Sequence, residues 1–210
     1  MNMKNPPAAA WRKELGDVDW DKTSDSLQGG AYTVDRTAVG IPLGGFGAGN
    51  FEYNLSGTFG PWELSGGKFD RRYLDTAAFH ARVRETNPQK QTLSGLLESA
   101  AAAPFEVCVA RTLAAEPKLE GTANRLAEGF RSHLLRIGSA DYYALYPKGW
   151  VDYKDNFKAR LKMEFFSPIL ADNYRETSLP EAYFRFCAEN PTDGGLDVDL
   201  MFTFPNMPVY

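Results

Sequence analysis

Apolar and polar positions alternate with a period of two along most of the last seventy residues. Leu161, Met163 and Phe165 alternate with Arg160, Lys162 and Glu164; Phe184 and Phe186 with Arg185 and Cys187; Leu196, Val198, Leu200 and Phe202 with Asp197, Asp199 and Thr203. That period turns one apolar face to a core and one polar face to water, and predicts three strands of antiparallel sheet. Between the last two, Glu189-Asn190-Pro191-Thr192-Asp193-Gly194-Gly195 carries hairpin-like turn chemistry. From Gly40 to about Arg84, short apolar runs alternate with glycine turns, as in Leu55-Ser56-Gly57-Thr58-Phe59-Gly60-Pro61-Trp62, and Phe79, Ala81 and Val83 then alternate with outward basic positions. Short strands parted by turn signals indicate an all-β sandwich or barrel. No strand–helix–strand repeat supports a parallel sheet.

Two segments break the pattern. Leu93, Leu96, Leu97, Ala100 and Ala101 recur at helical spacing after Thr92, a usable N-cap, and before Pro104, so a short helix is expected there. Phe105, Val107 and Val109 resume the two-residue period, and residues 116–130 form a second, polar excursion with helical character around Asn124 to Glu128. The first 39 residues are polar and rich in Asp, Gly and Pro, which predicts an irregular arm lying across the domain with Trp11 and Trp20 as anchors. The expected organisation is therefore an arm over residues 1–39 and, over 40–210, a mainly β, antiparallel β-sandwich with short helical excursions. Because Pro205 to Tyr210 follow directly on a strong strand, the sandwich is expected to be incomplete at its C-terminal side and to present a partnerless edge.

The stretch Ile41-Pro42-Leu43-Gly44-Gly45-Phe46-Gly47-Ala48-Gly49 places four glycines and a proline within nine residues. It is not a nucleotide loop. A dinucleotide fingerprint needs G-x-G-x-x-G between a strand and a helix, whereas Gly45, Gly47 and Gly49 are spaced by two, Asn50 follows, and no Gly-Lys-Ser or Gly-Lys-Thr occurs. The sequel Phe51 to Leu55 alternates like a strand, so Gly44 to Gly49 is expected to be a tight turn permitting close backbone approach.

Composition narrows the function further. A chain of 210 residues with 13% aromatic side chains can bury a substantial core. A net charge of -4 opposes nucleic-acid binding, and the densest basic run, Lys68 to Arg72, is interrupted by Asp70. The N-terminus lacks the apolar core of a signal peptide, and no apolar run approaches the roughly 20 residues of a membrane span, so a cytoplasmic setting is expected. Cys108 and Cys187 are expected as two buried thiols rather than a disulfide, and Asn54-Leu55-Ser56, although it matches a glycosylation acceptor, carries no meaning without export.

Catalytic chemistry finds no purchase. His80 and His133 are the two histidines and are expected to be structural or solvated; there is no G-x-S-x-G elbow and no His-x-x-x-His or Cys-x-x-Cys pair, so neither a metal nor a cofactor site is assigned. A glycosidase pair would need two carboxylates at a defined separation, but Asp197 and Asp199 oppose the apolar face as a solvated row, and Asp17, Asp19 and Asp21 lie in the arm. The aromatic run Tyr142-Tyr143-Ala144-Leu145-Tyr146-Pro147-Lys148-Gly149-Trp150, with Tyr153 and Trp62, offers rings for sugar stacking or for a core, and core packing is the favoured reading. No catalytic, cofactor-binding or metal-ligating residue is assigned in this chain.

Five motifs nevertheless agree in order with one family. Pro42 to Gly49, Trp62-Glu63-Leu64, Ala144 to Trp150, Ser167-Pro168-Ile169 with Asp172-Asn173-Tyr174 and Thr177-Ser178-Leu179-Pro180, and Asp197-Val198-Asp199-Leu200-Met201-Phe202-Thr203 together resemble the N-terminal domain of the non-lysosomal glucosylceramidases, also called bile-acid β-glucosidases or glycoside hydrolase family 116. The resemblance spans Val39 to about Phe204. Gly60-Pro61 and Leu170-Ala171 depart from its usual Cys-Arg and Ile-Pro, and the stretch from Gln91 to Asn124 has no clear counterpart.

The resemblance implies a β-sandwich packed on a C-terminal (α/α) barrel, in cis or from a separate chain, that hydrolyses β-glucosides, glucosylceramide among them in some members, with retention. The family's nucleophile and acid/base carboxylates lie in that barrel, and no position here matches them. The leading expectation is an accessory domain helping to shape a catalytic barrel that acts on a β-glucoside or glucolipid. Two alternatives stand beside it: a freestanding sandwich holding sugars on Trp62, Tyr146 or Trp150, and a non-functional truncated product.

Overall fold

The chain was analysed as a computed structural model that describes residues 3, 5–17, 40–65, 68–70, 77–86, 108–115 and 133–204. Its strands, in chain order, are β1 (Trp11–Glu14), β2 (Gly40–Gly45), β3 (Gly49–Asn54), β4 (Phe59–Ser65), β5 (Lys68–Asp70), β6 (Ala78–Thr86), β7 (Cys108–Ala115), β8 (Leu134–Leu135), β9 (Asp141–Leu145), β10 (Lys148–Asp152), β11 (Arg160–Phe166), β12 (Tyr183–Glu189) and β13 (Gly195–Thr203). They form three sheets, ordered β1-β9-β10-β11-β12, β13-β6-β7-β8 and β2-β3-β4-β5. All pairings are antiparallel except that of β7 with β8, and none of the sheets closes into a barrel. The mainly β, sandwich-type architecture expected from the two-residue period is the one observed.

Register shows how that period builds the core. In the five-stranded sheet, Ala144, Gly149, Phe165 and Phe184 share one row, and Tyr142, Val151, Met163 and Phe186 share the next on the same face. The facing layer supplies Tyr53, Phe59 and Phe79. Tyr53 meets Phe59, Phe165 and Phe184 edge-on with ring centres 4.9 to 5.5 Å apart, and Phe79 lies 4.9 Å from Phe184 and 5.1 Å from Phe186. Edge-on and tilted pairs of this kind contribute about 0.5–1.5 kcal/mol each beyond burial. The Tyr142 hydroxyl donates to the Tyr53 carbonyl across the layers (2.8 Å), so this polar handle is satisfied within an apolar core.

Four expectations need correction. The turn from Glu189 to Gly195 does not close a hairpin: β12 pairs with β11, whereas β13 pairs with β6 in a different sheet. Asn190 organises the reversal, donating to the Gly194 carbonyl and accepting from the Thr192 amide, but the turn chemistry does not dictate pairing. β12 and β13 lie in different sheets, so the chain crosses between layers here.

The N-terminal arm is not wholly irregular, because Trp11–Glu14 adds β1 to the edge of the five-stranded sheet, opposite β9. Arg12 reaches Asp141 at 2.8 Å, and Lys162 donates to the Asn5 side chain, so the segment ahead of β1 crosses to β11. Trp11 is 45% exposed and anchors little; the anchor is Leu15, which is fully buried.

The cysteines are free, as expected, but not buried: Cys108 is exposed and Cys187 half-buried. Each is paired with a basic residue, Arg84 and Lys162, on the solvent side of its sheet. Finally, Leu200 and Phe202, expected on a covered face, are 47% and 48% exposed, and among the described residues β13 lies at an edge of its sheet.

A one-turn helix, α1 (Tyr174–Thr177), was not signalled by periodicity; the Asn173 side chain caps it by accepting from the Glu176 amide. The helix expected around residues 92–104, the excursion at 116–130, and Trp20, Asp19 and Asp21 lie outside the described residues. No helix among the described residues is long and apolar enough to cross a membrane.

Candidate functional site

The glycine run is a β-hairpin, with β2 and β3 paired from Gly40 opposite Asn54 to Gly45 opposite Gly49. Its closing end, Gly44 to Phe46, is held against the segment that follows β11. The Gly44 amide donates to Ser167 Oγ (2.7 Å), the Ser167 hydroxyl donates to the Glu181 carbonyl (2.6 Å), and the Phe46 amide donates to the Thr177 carbonyl (3.0 Å). A Cβ on Gly45 would overlap the backbone carbonyls of Ser178 and Leu179, so this position admits no side chain. At the tip, Gly47 adopts φ +73° and meets nothing within 4 Å, while Phe46 is 61% exposed.

These links draw several loops to one end of the sandwich. Phe166, just before Ser167, pairs with Lys148 and Tyr183, and Lys148 pairs with Leu145, so the β9–β10 turn with Tyr146 and cis-Pro147 lies there too. Leu64 follows Glu63, which pairs with Asn50 at the hairpin. Several exposed large apolar side chains belong to these segments: Phe46, Leu64, Tyr146, Leu170, Tyr174 and Leu179, with Tyr174 82% exposed. Phe204 packs on Trp62, ring centres 6.0 Å apart, and points β13 toward the same end. An apolar patch of this kind is often functional, and the hydrogen bonds between the hairpin and the segment after β11 give its centre the rigidity a docking face requires.

The residues singled out in the sequence separate cleanly on this frame. Trp62 and Trp150 are each only 7% exposed, Trp62 stacking on Phe51 at 4.9 Å, and Tyr142 and Tyr153 are fully buried. They are core; Tyr143 is half-buried, and Tyr146 is 57% exposed. His80 is half-buried between Thr112 (3.1 Å) and Thr203 (2.9 Å), and burial lowers its pKa. Asp197 and Asp199 form ion pairs with Arg84 and Arg82, both at 2.7 Å. The hydrogen bond from Arg84 is the main cause that holds the Asp197 carboxyl below its usual range. Carboxylates engaged in this way form a solvated, charge-neutralised row. Asn54 is 2% exposed and donates to Thr58 and to the Gly60 carbonyl, which removes it as a glycosylation acceptor.

One carboxyl had escaped notice. Glu52, opposite Pro42 on β3, has a buried Oε2 without a hydrogen-bond partner among the described residues, and burial pushes its pKa up to about 7 against a smaller opposing pull from the Gly40 backbone. Alternation within Phe51-Glu52-Tyr53-Asn54 placed it on the polar side of β3; nothing in that local pattern signals that this side is partly desolvated. Phe46, Leu170, Tyr174 and Leu179 were also missed as a group. The available signal was an apolar residue set inside turn chemistry, as Phe46 is between Gly45 and Gly47.

The N-terminal family description "beta-glucosidase 2, glycosyl-hydrolase family 116" matches residues 40–209. The chain belongs to that family of glycosyl-hydrolase N-terminal domains. The match begins at the first residue of β2, so the glycine hairpin opens the family domain.

Proposed function

We propose that, as the N-terminal domain of a family-116 glycosyl hydrolase, this chain is an accessory sandwich. It docks through its hairpin end on an (α/α)-barrel catalytic domain and leaves the hydrolysis of a β-glucoside or glucolipid to that partner. The observation that carries this reading is the concentration of exposed aromatic and aliphatic side chains on loops tied to the β2–β3 hairpin. Covering a few such side chains contributes roughly 1.5–3 kcal/mol each at full burial, enough to hold two domains together. The carboxylates weighed for hydrolysis support the division of labour, since Asp197 and Asp199 are committed to arginines.

The test uses the hydrolase that carries this domain. Replacing Phe46 and Tyr174 together by aspartate is expected to lower its activity several-fold and its thermal midpoint, while the isolated 210-residue chain keeps its own unfolding midpoint within experimental scatter. Unchanged activity and midpoint in the whole enzyme would count against docking at this end. The isolated chain is expected to show no turnover of a chromogenic β-glucoside above buffer; turnover abolished by a single carboxylate substitution would overturn the accessory reading. The alternative of a freestanding sugar-binding module now rests on Tyr146, since Trp62 and Trp150 are buried.

A further inference from the structure

Residues 11–17 lie ahead of the matched family region, which begins at Gly40, yet they are in contact with all three sheets. β1 adds to β9 with Glu14 opposite Asp141, and the next residue, Leu15, enters the core and is fully buried. Both of its backbone groups are satisfied there. The Leu15 amide donates to the Ala140 carbonyl (2.8 Å), and its carbonyl accepts from the Gly138 amide (3.0 Å). The Gly16 amide then donates to the carbonyl of Leu55, just past β3 (2.8 Å). A Cβ on Gly16 would overlap that of Ala115, the last residue of β7. Leu15 and Gly16 thus join the five-stranded sheet to both four-stranded ones. Outside the core, Arg12 shares the nearly buried Asp141 carboxylate with Lys154, each at 2.8 Å.

We propose that the β9 edge and the socket around Leu15 form a strand-addition site whose occupant is this chain's own segment 11–17, a separable strand and plug that completes the family domain from outside it. Strand addition takes its affinity from main-chain hydrogen bonds and its selectivity from pockets for particular side chains. Both parts are present. The ladder from Trp11 to Glu14 supplies the first and Leu15 the second, while Trp11, 45% exposed, is dispensable. The segment reaches the matched region through the 22 residues 18–39, a tether that raises its local concentration while the contacts do the holding. The site lies at the end of the sandwich away from the docking loops. Asp141 pairs with Asp152, remote from the β9–β10 turn, and Leu55 follows Asn54 at the open end of the β2–β3 hairpin. The strand-addition site and the docking face therefore stand or fall separately.

The test cuts the full 210-residue chain at a specific protease site built between Gly29 and Gly30 and follows the pieces by size-exclusion chromatography at micromolar concentration. Residues 1–29 are expected to stay with residues 30–210. In the cut chain Leu15→Asp is expected to weaken that retention at least about tenfold, whereas Trp11→Ala leaves it within about twofold. Hydrogen exchange in the uncut, unsubstituted chain reads the same contacts without cleavage or substitution. The amides of Leu15, Gly16 and Gly138, each bonded to a carbonyl, are expected to exchange at least about a hundredfold more slowly than in an unstructured peptide. Release of the segment from the cut chain would overturn the proposal. Free exchange at Leu15 and Gly16, or equal retention of the Leu15→Asp and Trp11→Ala variants, would overturn it equally.

Discussion

At the closing pair of the β2–β3 hairpin, Gly45 lies where a Cβ would overlap the carbonyls of Ser178 and Leu179, whereas two residues on, in the turn, Gly47 meets nothing within 4 Å. Both are glycines of one short run, yet they answer different demands. Gly45 is small because another part of the backbone occupies the space; Gly47 is glycine because its φ of +73° is one that side chains resist. The closing pair is thus part of the folded body, and the turn beyond it is presentation. The difference teaches that a glycine-rich motif can serve internal packing and external display within the same turn, and that only the neighbours of each residue tell which.

The sharpest way to break this contrast is Gly45→Val. The added carbons meet backbone rather than a movable side chain, so the hairpin must part from the Thr177–Leu179 segment, at an expected cost of about 3 kcal/mol in urea denaturation of the isolated chain. A loss no larger than that of a substitution at Gly47 would erase the distinction between the closing pair and the turn.

Ser167→Ala tests the polar half of the same junction. It leaves the Gly44 amide and the Glu181 carbonyl without the hydroxyl that serves both, at a position only 4% exposed, and about 2 kcal/mol should be lost. A double mutant with Gly45→Val should then be less than additive, since both changes release one contact.

Glu52 supplies a pH signature from the strand that follows. Its folded carboxyl keeps its proton up to about 7, whereas the unfolded chain releases it near the ordinary 4.5. The folded state therefore binds more protons across that window. This contribution is full below about 4.5, is lost as pH rises to about 7, and is flat above. Allowing for the solvent that still reaches this group, the change amounts to about 1–2 kcal/mol, and Glu52→Gln should remove it from stability curves taken at about pH 5 and about pH 8. An unaltered pH slope in that variant would show that the carboxyl is solvated.

The smallest effect is expected at the tip. Gly47→Ala has room for its methyl group but must hold a left-handed backbone, so a loss of roughly 1 kcal/mol is expected by the same denaturation. A much larger loss would mean that the tip packs on the domain rather than standing clear of it.

Much of the architecture was legible because strand periodicity is a local property. Leu161, Met163 and Phe165 point one way for reasons contained in seven residues, and the same holds for Phe184 and Phe186. Pairing was less legible. The turn at Asn190 to Gly195 encodes a reversal, and whether the following strand returns beside β12 or crosses to β6 depends on which layer covers Leu196 and Val198. Cys108 and Cys187 were misplaced because an apolar neighbourhood in sequence sits on alternating faces in space. Of the candidate face, Tyr146 and the glycine turn could be read in advance. Phe46, Leu170, Tyr174 and Leu179 could not be grouped, because they come from segments more than a hundred residues apart that meet through backbone hydrogen bonds invisible to side-chain pattern.

By itself the sequence determined the strand period, the glycine turn, the family resemblance in five ordered motifs, and the misfit of nucleotide-binding and histidine chemistry, because each of these is carried by neighbouring residue types. Tertiary structure alone decided that Trp62 and Trp150 are core rather than sugar platforms and that Glu52 is desolvated. It also decided that Gly45 and Gly47 do different work and that, among the described residues, β13 ends its sheet with Leu200 and Phe202 half exposed. Burial and contact arise from segments far apart in the chain, and no local period records who the neighbours will be.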